Sequence, residues 1–216
     1  MTYLDLVNAV LRRVREAEVA SVTTTDYSKL IGDMVNEAKR AVEDAWNWSI
    51  LRTTKTIYTS PTNLSNYEIT DSNFRTRVLH IYLPSEKRDL QQVSQDVMHR
   101  NIDLLGTQTG SPMQFSYGPI TSAGKLTIDI FPIPAQVYTI KADCVIPEAE
   151  LVADLDNTVL PSELIIQGAY LRAINERGED GGRLSDQQLL IYERTLASYI
   201  SIETSRYEDE ITWEPV

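Results

Sequence analysis

With 216 residues, 42% hydrophobic and 24% charged, the chain can bury a full core as one elaborate domain or two small ones. Its 31 acidic against 20 basic side chains leave a net charge of -11, which argues against a protein that wraps nucleic acid through its phosphates. No apolar run approaches the ~20 residues of a membrane span, and Cys144, the only cysteine, excludes an internal disulfide and any multi-cysteine metal site.

The opening stretch MTYLDLVNAVLRRVRE interleaves charges with leucines and valines, unlike the charged-then-apolar layout of a signal peptide. With a lone cysteine, this fits folding in a reducing cytoplasm. Residues 3–18 read as a helix, because Leu4, Val7, Val10, Leu11 and Val14 recur at three- and four-residue spacing. The β-branched connector 19–25 resists continuing it. Thr25 or Asp26 then caps a second helix to about Trp46, with the stripe Leu30, Ile31, Met34, Val35, Ala38, Val42 and Ala45. The two helices are expected to pack as an antiparallel pair.

From residue 49 to about 147 the pattern changes. The runs LRTTKTIYT, RVLHIYLP, MQFSYG, KLTIDIFP and VYTIKADCVIP are β-branched and aromatic and end in turn residues, which predicts an antiparallel sheet of about five strands. SPTNLSN and GTQTGSP read as loops, and residues 96–104 as a short helix ending near Gly106. Runs 126–131 and 137–145 flank Pro132-Ile133-Pro134 and read as a hairpin whose prolines limit strand extension.

Helical periodicity returns at Pro161 and stops at the glycine-rich RGEDGG. Ser185 with Gln188 matches a capping box for a last helix, which carries Leu189, Tyr192, Leu196, Tyr199 and Ile200 to about Arg206. The expected fold is α+β: an N-terminal helix pair (1–48) and a C-terminal pair (151–206) forming one helical bundle, with an antiparallel β-sheet (49–150) inserted and an extended arm (207–216).

Visible chemistry is sparse. His80 falls in a strand and His99 in the short helix, neither with a His or Cys at metal-ligand spacing. Cys144 reads as a buried structural thiol. The stretch 154–157, DLDN, imitates the opening of a calcium loop but lacks the sixth-position glycine and the closing glutamate, so helix-capping acids are the simpler reading. RGEDGG has no P-loop lysine and reads as a helix end and turn. Arg12, Arg13 and Arg15 form the densest basic cluster, a solvated helix face or, more sharply, a contact for phosphate or an acidic partner. Trp46 and Trp48 read as core anchors, with an intersubunit contact as the alternative. No catalytic residue, cofactor site or metal site is assigned. The arm YEDEITWEPV is different: Tyr207, Ile211, Trp213 and Val216 spaced among acids suit a segment that docks on another chain.

The phrases DLVNAVLRRV, AVEDAWNWSILRTT and IDIFPIPAQVYTIKADCVIPEAELVADLDNTVLPSELIIQGAYLRAINERGED resemble the head–tail adaptor proteins of short-tailed bacteriophages, often called tail tubular protein A. The likeness covers nearly the whole chain and is weakest over residues 60–120. It implies a helical bundle plus antiparallel sheet, assembled as a homo-dodecameric ring between the portal protein and the tail nozzle protein. Genomic DNA would pass through without specific binding, no membrane is involved, and the protein would reside in the virion at the head–tail junction after synthesis in the host cytoplasm. It also implies that the C-terminal segment, here Tyr207, Ile211, Trp213 and Val216, meets the portal. Two rival readings stand beside it: a small non-enzymatic binding or scaffold module docking through its acidic-aromatic arm, and a hydrolase assembled in space around His80 or His99.

Overall fold

A computed structural model describes residues 1–61, 66–105, 108–178 and 183–206. The fold is α+β, with five α-helices and three sheets among the described residues. The chain divides into two compact units, one of Met1–Ile50 with Glu148–Val216, the other of Leu51–Pro147.

The first unit is helical. Helix α1 (Tyr3–Arg13) opens with a capping box: the Thr2 hydroxyl accepts from Asp5 N at 3.1 Å while Thr2 N donates to Asp5 Oδ2 at 3.2 Å. It ends five residues earlier than its periodicity predicts. Arg15 sits in the left-handed region at φ 63°, its N–H donating to Arg12 O and that of Glu16 to Leu11 O, which is the Schellman pattern that satisfies the last carbonyls. Val14 continues the apolar spacing and is buried, but from the cap and not from the helix. Helix α2 (Asp26–Ala45) starts at Thr25, whose box partner is Ser28. Ile31, Met34, Val35, Ala38 and Val42 are buried as its stripe predicts. Trp48 is buried beyond it, with its indole N–H donating to Val42 O at 2.7 Å, whereas Trp46 is half-buried.

In the second unit the strands are β1 (Arg52–Tyr58), β2 (Tyr67–Glu68), β3 (Arg77–Leu83), β4 (Arg88–Asp89), β5 (Gln91–Gln92), β6 (Thr109–Gly110), β7 (Gln114–Tyr117), β8 (Thr127–Phe131), β9 (Ile133–Pro134) and β10 (Thr139–Val145). Helix α3 (Gln95–Leu105) lies between β5 and β6 in the chain. The expected single antiparallel sheet is instead two four-stranded sheets, β1-β10-β3-β4 and β2-β8-β7-β5, and a small β6-β9 pair. The β5–β7 and β6–β9 pairings are parallel.

The expected hairpin is also corrected. β8 and β10 belong to different sheets, and the Pro132–Pro134 connection carries the chain between them, with a cis Phe131–Pro132 peptide. Two prolines in three residues remove two ladder donors, so the segment cannot serve as a paired turn. Ile57, Ile81, Leu83, Ile140, Ala142 and Cys144 from the first sheet share one core cluster with Tyr67, Phe115, Ile128 and Ile130 from the second. The unit is thus two sheets joined through their inner faces.

Back in the helical unit, α4 (Ser162–Arg177) begins after Pro161 and ends at Gly178, which takes the left-handed conformation at φ 61° and donates to Ile174 O. Helix α4 is the hub: α1, α2 and α5 (Arg183–Arg206) all pack on it. Its buried residues therefore run all the way round, including Leu164, Ile165, Ile166, Ala169 and Ala173. A Cβ on Gly168 would stand 3.2 Å from Ala38 Cβ and 3.3 Å from Tyr192 Cε2, so glycine allows α2 and α5 to approach together. Helix α5 begins two residues before the expected capping box. Ser185 is therefore inside the helix, and its hydroxyl meets Asn175 instead of a backbone N–H.

Candidate functional site

The residue types best suited to chemistry are scattered among structural tasks. His80 on β3 pairs its Nε2 with Asp89 Oδ1 at 2.9 Å and lies against Tyr82, with ring centroids 5.5 Å apart. His99 is exposed on α3, and among the described residues no hydrogen bond, ion pair or ring contact joins it to His80. Cys144 is buried on β10, and burial, reinforced by Asp143, pushes its thiol pKa up to about 11, far from a reactive thiolate. Among the described residues no cluster of three His, Cys, Asp or Glu side chains is placed to hold a metal ion. No helix of the described residues is long and apolar enough to cross a membrane.

The acidic loop before α4 is a clamp. Asp156 Oδ2 accepts from Val152 N at 2.8 Å and Ala153 N at 2.7 Å, and these two bonds hold its pKa below the usual aspartate range. Asp154 Oδ1 accepts from Val22 N at 3.0 Å. The carbonyls of Asp156 and Asp154 receive Tyr3 N and Leu4 N at 2.7 and 3.1 Å, satisfying donors at the start of α1. Asn36 holds Leu151 at both its backbone groups, at 3.0 Å each. On this rigid frame Val152 and Leu155 are each 79% exposed, which is unusual for apolar side chains on so fixed a backbone.

Sequence reasoning missed the ion pair beneath that loop. Lys39 Nζ lies 2.8 Å from Glu43 Oε1, both side chains almost wholly buried, and also donates to Ala149 O at 2.9 Å and Glu148 O at 3.3 Å. Glu43 Oε1 accepts Glu148 N at 3.1 Å. The i,i+4 spacing is visible in the sequence, but charge alone places such residues on the solvent face.

The basic cluster divides. Arg12 pairs with Glu18 at 2.7 Å, and Arg13 lies over the Tyr170 ring at 5.8 Å from its centroid. Arg15 makes no side-chain contact of this kind among the described residues. Near them Arg177 donates to Tyr27 Oη, Val14 O and Glu16 Oε1 at 2.9, 3.1 and 2.5 Å. Arg13, Arg15 and Arg177 border a cleft of about 540 Å³ whose apolar wall is Tyr170, Ile174 and Leu184.

Helix α5 is the least covered element. Its inner strip meets α4 through Ser185, Tyr192 and Tyr199, whose hydroxyl bonds Glu163 at 3.2 Å, and Glu203 accepts Ser49 N at 3.1 Å. None of its residues is fully buried, while Leu184, Leu189, Leu190, Ile191 and Ile202 are exposed. Of the expected stripe, Tyr192, Leu196, Tyr199 and Ile200 are half-buried and Leu189 is exposed. The arm residues Tyr207, Ile211, Trp213 and Val216 lie outside the described residues.

The arrangement offers binding faces. A family model for the SU10 adaptor protein matches residues 1–212, a stretch that contains Tyr207 and Ile211 and stops short of Trp213 and Val216. Comparison with curated proteins gives no match. A match spanning both compact units shows the family: the chain belongs to the SU10 adaptor protein family and is a structural adaptor protein of a phage, as its resemblance to head–tail adaptors implied.

Proposed function

We propose that the chain forms a homo-dodecameric head-to-tail adaptor ring that joins the portal protein to the tail nozzle protein and lines the DNA exit channel. The observation that carries this reading is the family match over residues 1–212, which takes in both units and not one module of them. Two physical features support it. A ring subunit needs lateral and axial faces, and α5 and the 150–157 loop expose large apolar side chains on ordered frames. A channel that lets DNA slide must avoid many Lys/Arg–phosphate contacts, and a subunit of net charge -11 supplies few.

In this reading the C-terminal segment docks on the portal through Tyr207, Ile211, Trp213 and Val216, acids between the apolar groups keeping it soluble before assembly. Truncation after Arg206 tests the docking role. The shortened chain should lose co-sedimentation with the portal ring while its circular dichroism stays that of the full chain. Undiminished co-sedimentation would remove the arm from the contact, and a full-length chain that never co-sediments would remove the portal from the reading.

A further inference from the structure

Two faces of the helical unit carry opposite charge and matching apolar groups. The first is the 150–157 loop. Val152 and Leu155 project from it, and Asp154 and Asp156 have their carboxylates bonded to backbone N–H groups, with no ion pair to either among the described residues. It sits at the start of α1, held by Tyr3 and Leu4. The second is the cleft at the other end of α1, where Arg13, Arg15 and Arg177 stand around the apolar wall of Tyr170, Ile174 and Leu184. Glu16, already engaged by Arg177, is the only carboxylate bordering it among the described residues, so the described lining, with Arg13, Arg15 and Arg177, carries more positive than negative charge. Leu184 and Ile191, seven residues apart on α5, share one flank of that helix and extend the wall.

We infer that the acidic loop of one copy, with Val152 and Leu155 as its anchors, seats in the arginine-bordered cleft of a second copy. The occupant is set by complementarity on both counts: apolar knobs meet an apolar wall, and the carboxylates of Asp154 and Asp156, bonded to backbone N–H groups, meet Arg13 and Arg15. Neither face covers the other within one copy, since Val152, Leu155 and Ile191 all remain exposed. Loop and cleft lie at opposite ends of α1, so the contact is heterologous: each copy offers a knob to one neighbour and a cleft to the other. Such contacts propagate until rotation closes a ring. The inference deepens the ring proposed above and takes that ring as its frame.

Disulfide trapping tests it. Leu155→Cys and Leu184→Cys in one chain should give, on mild oxidation, a ladder of dimers, trimers and higher species. Each single variant should give none, and an equimolar mixture of the singles should stop at dimers. Cys144 is buried and does not interfere. Oxidation is done on the protein alone over a concentration series and on protein held by the portal ring. No ladder in either setting, or dimers from one single variant alone, overturns the contact. Retention by the portal without a ladder overturns this contact and leaves the adaptor reading standing; a ladder from protein that the portal never retains does the reverse. As a second handle, Leu155→Arg should weaken self-association at least about tenfold, as expected for a charge forced against like charge in an interface core, and Arg15→Glu in the same chain should restore part of it. Unchanged association of Leu155→Arg, with its circular dichroism intact, counts against the seat.

Discussion

Lys39 and Glu43 stand one turn apart on α2, nearly out of solvent, and their hydrogen bonds tie the chain at 148–149 to the helix. A buried pair of this kind contributes little as a pair, but loss of one partner strands the other charge. Lys39→Met should therefore destabilise the protein by about 3–5 kcal/mol, read as a lower urea midpoint. Adding Glu43→Leu should recover only part of this, because the Glu148 N–H and the carbonyls of Glu148 and Ala149 would still lack their partners. Full additivity of the two single losses would show that the residues do not act together. Arg15 makes a similar point about local rules. Its left-handed backbone ends α1 where glycine is the usual choice, so apolar spacing through Val14 overran the helix end.

At the scale of elements, the Asp156 carboxylate is one of the groups that hold the acidic loop, beside Asp154 and Asn36. Asp156 accepts two backbone N–H bonds, which lower its pKa in the folded state. A depressed folded pKa contributes stability above the ordinary aspartate range, and that contribution is lost as pH falls through the folded value. Asp156→Asn should thus cost stability near neutral pH, and the gap to the unmodified protein should close as the pH is taken below about 3.9. Urea midpoints at the two ends of that range check it, and a gap that widens in acid would contradict the clamp. Helix α5 shows the complementary case: it is long, and among the described residues it packs on α4 along one strip while Leu184, Leu189, Leu190, Ile191 and Ile202 stay exposed.

For the whole molecule, charge is the property with a functional consequence. As a phage adaptor the chain is a virion protein that meets other head and tail proteins. With 31 acidic and 20 basic side chains, the purified protein should give no submicromolar, salt-sensitive shift of duplex DNA in a gel. Tight binding weakening steeply with salt would mean a basic tract grips phosphates, against a channel through which DNA slides.

Periodicity and capping residues are local, and so the sequence by itself determined the α+β class, helix α2 with its buried stripe, the existence and ends of α4, and the five longer strands. Thr25, Pro161 and Gly178 mark helix ends by chemistry that needs no distant partner. Family membership was legible too, in phrases spread along the chain. Which strands share a sheet was decided only by tertiary structure, because β8 and β10 read identically as alternating runs whether they pair with each other or, as they do, β8 with β2 and β7 and β10 with β1 and β3. The burial of Lys39 and Glu43, the clamp made by Asp156 and the meeting of Arg13, Arg15 and Arg177 around one cleft were invisible for the same reason. Each depends on groups from separate segments arriving together, and a linear pattern carries no record of that convergence.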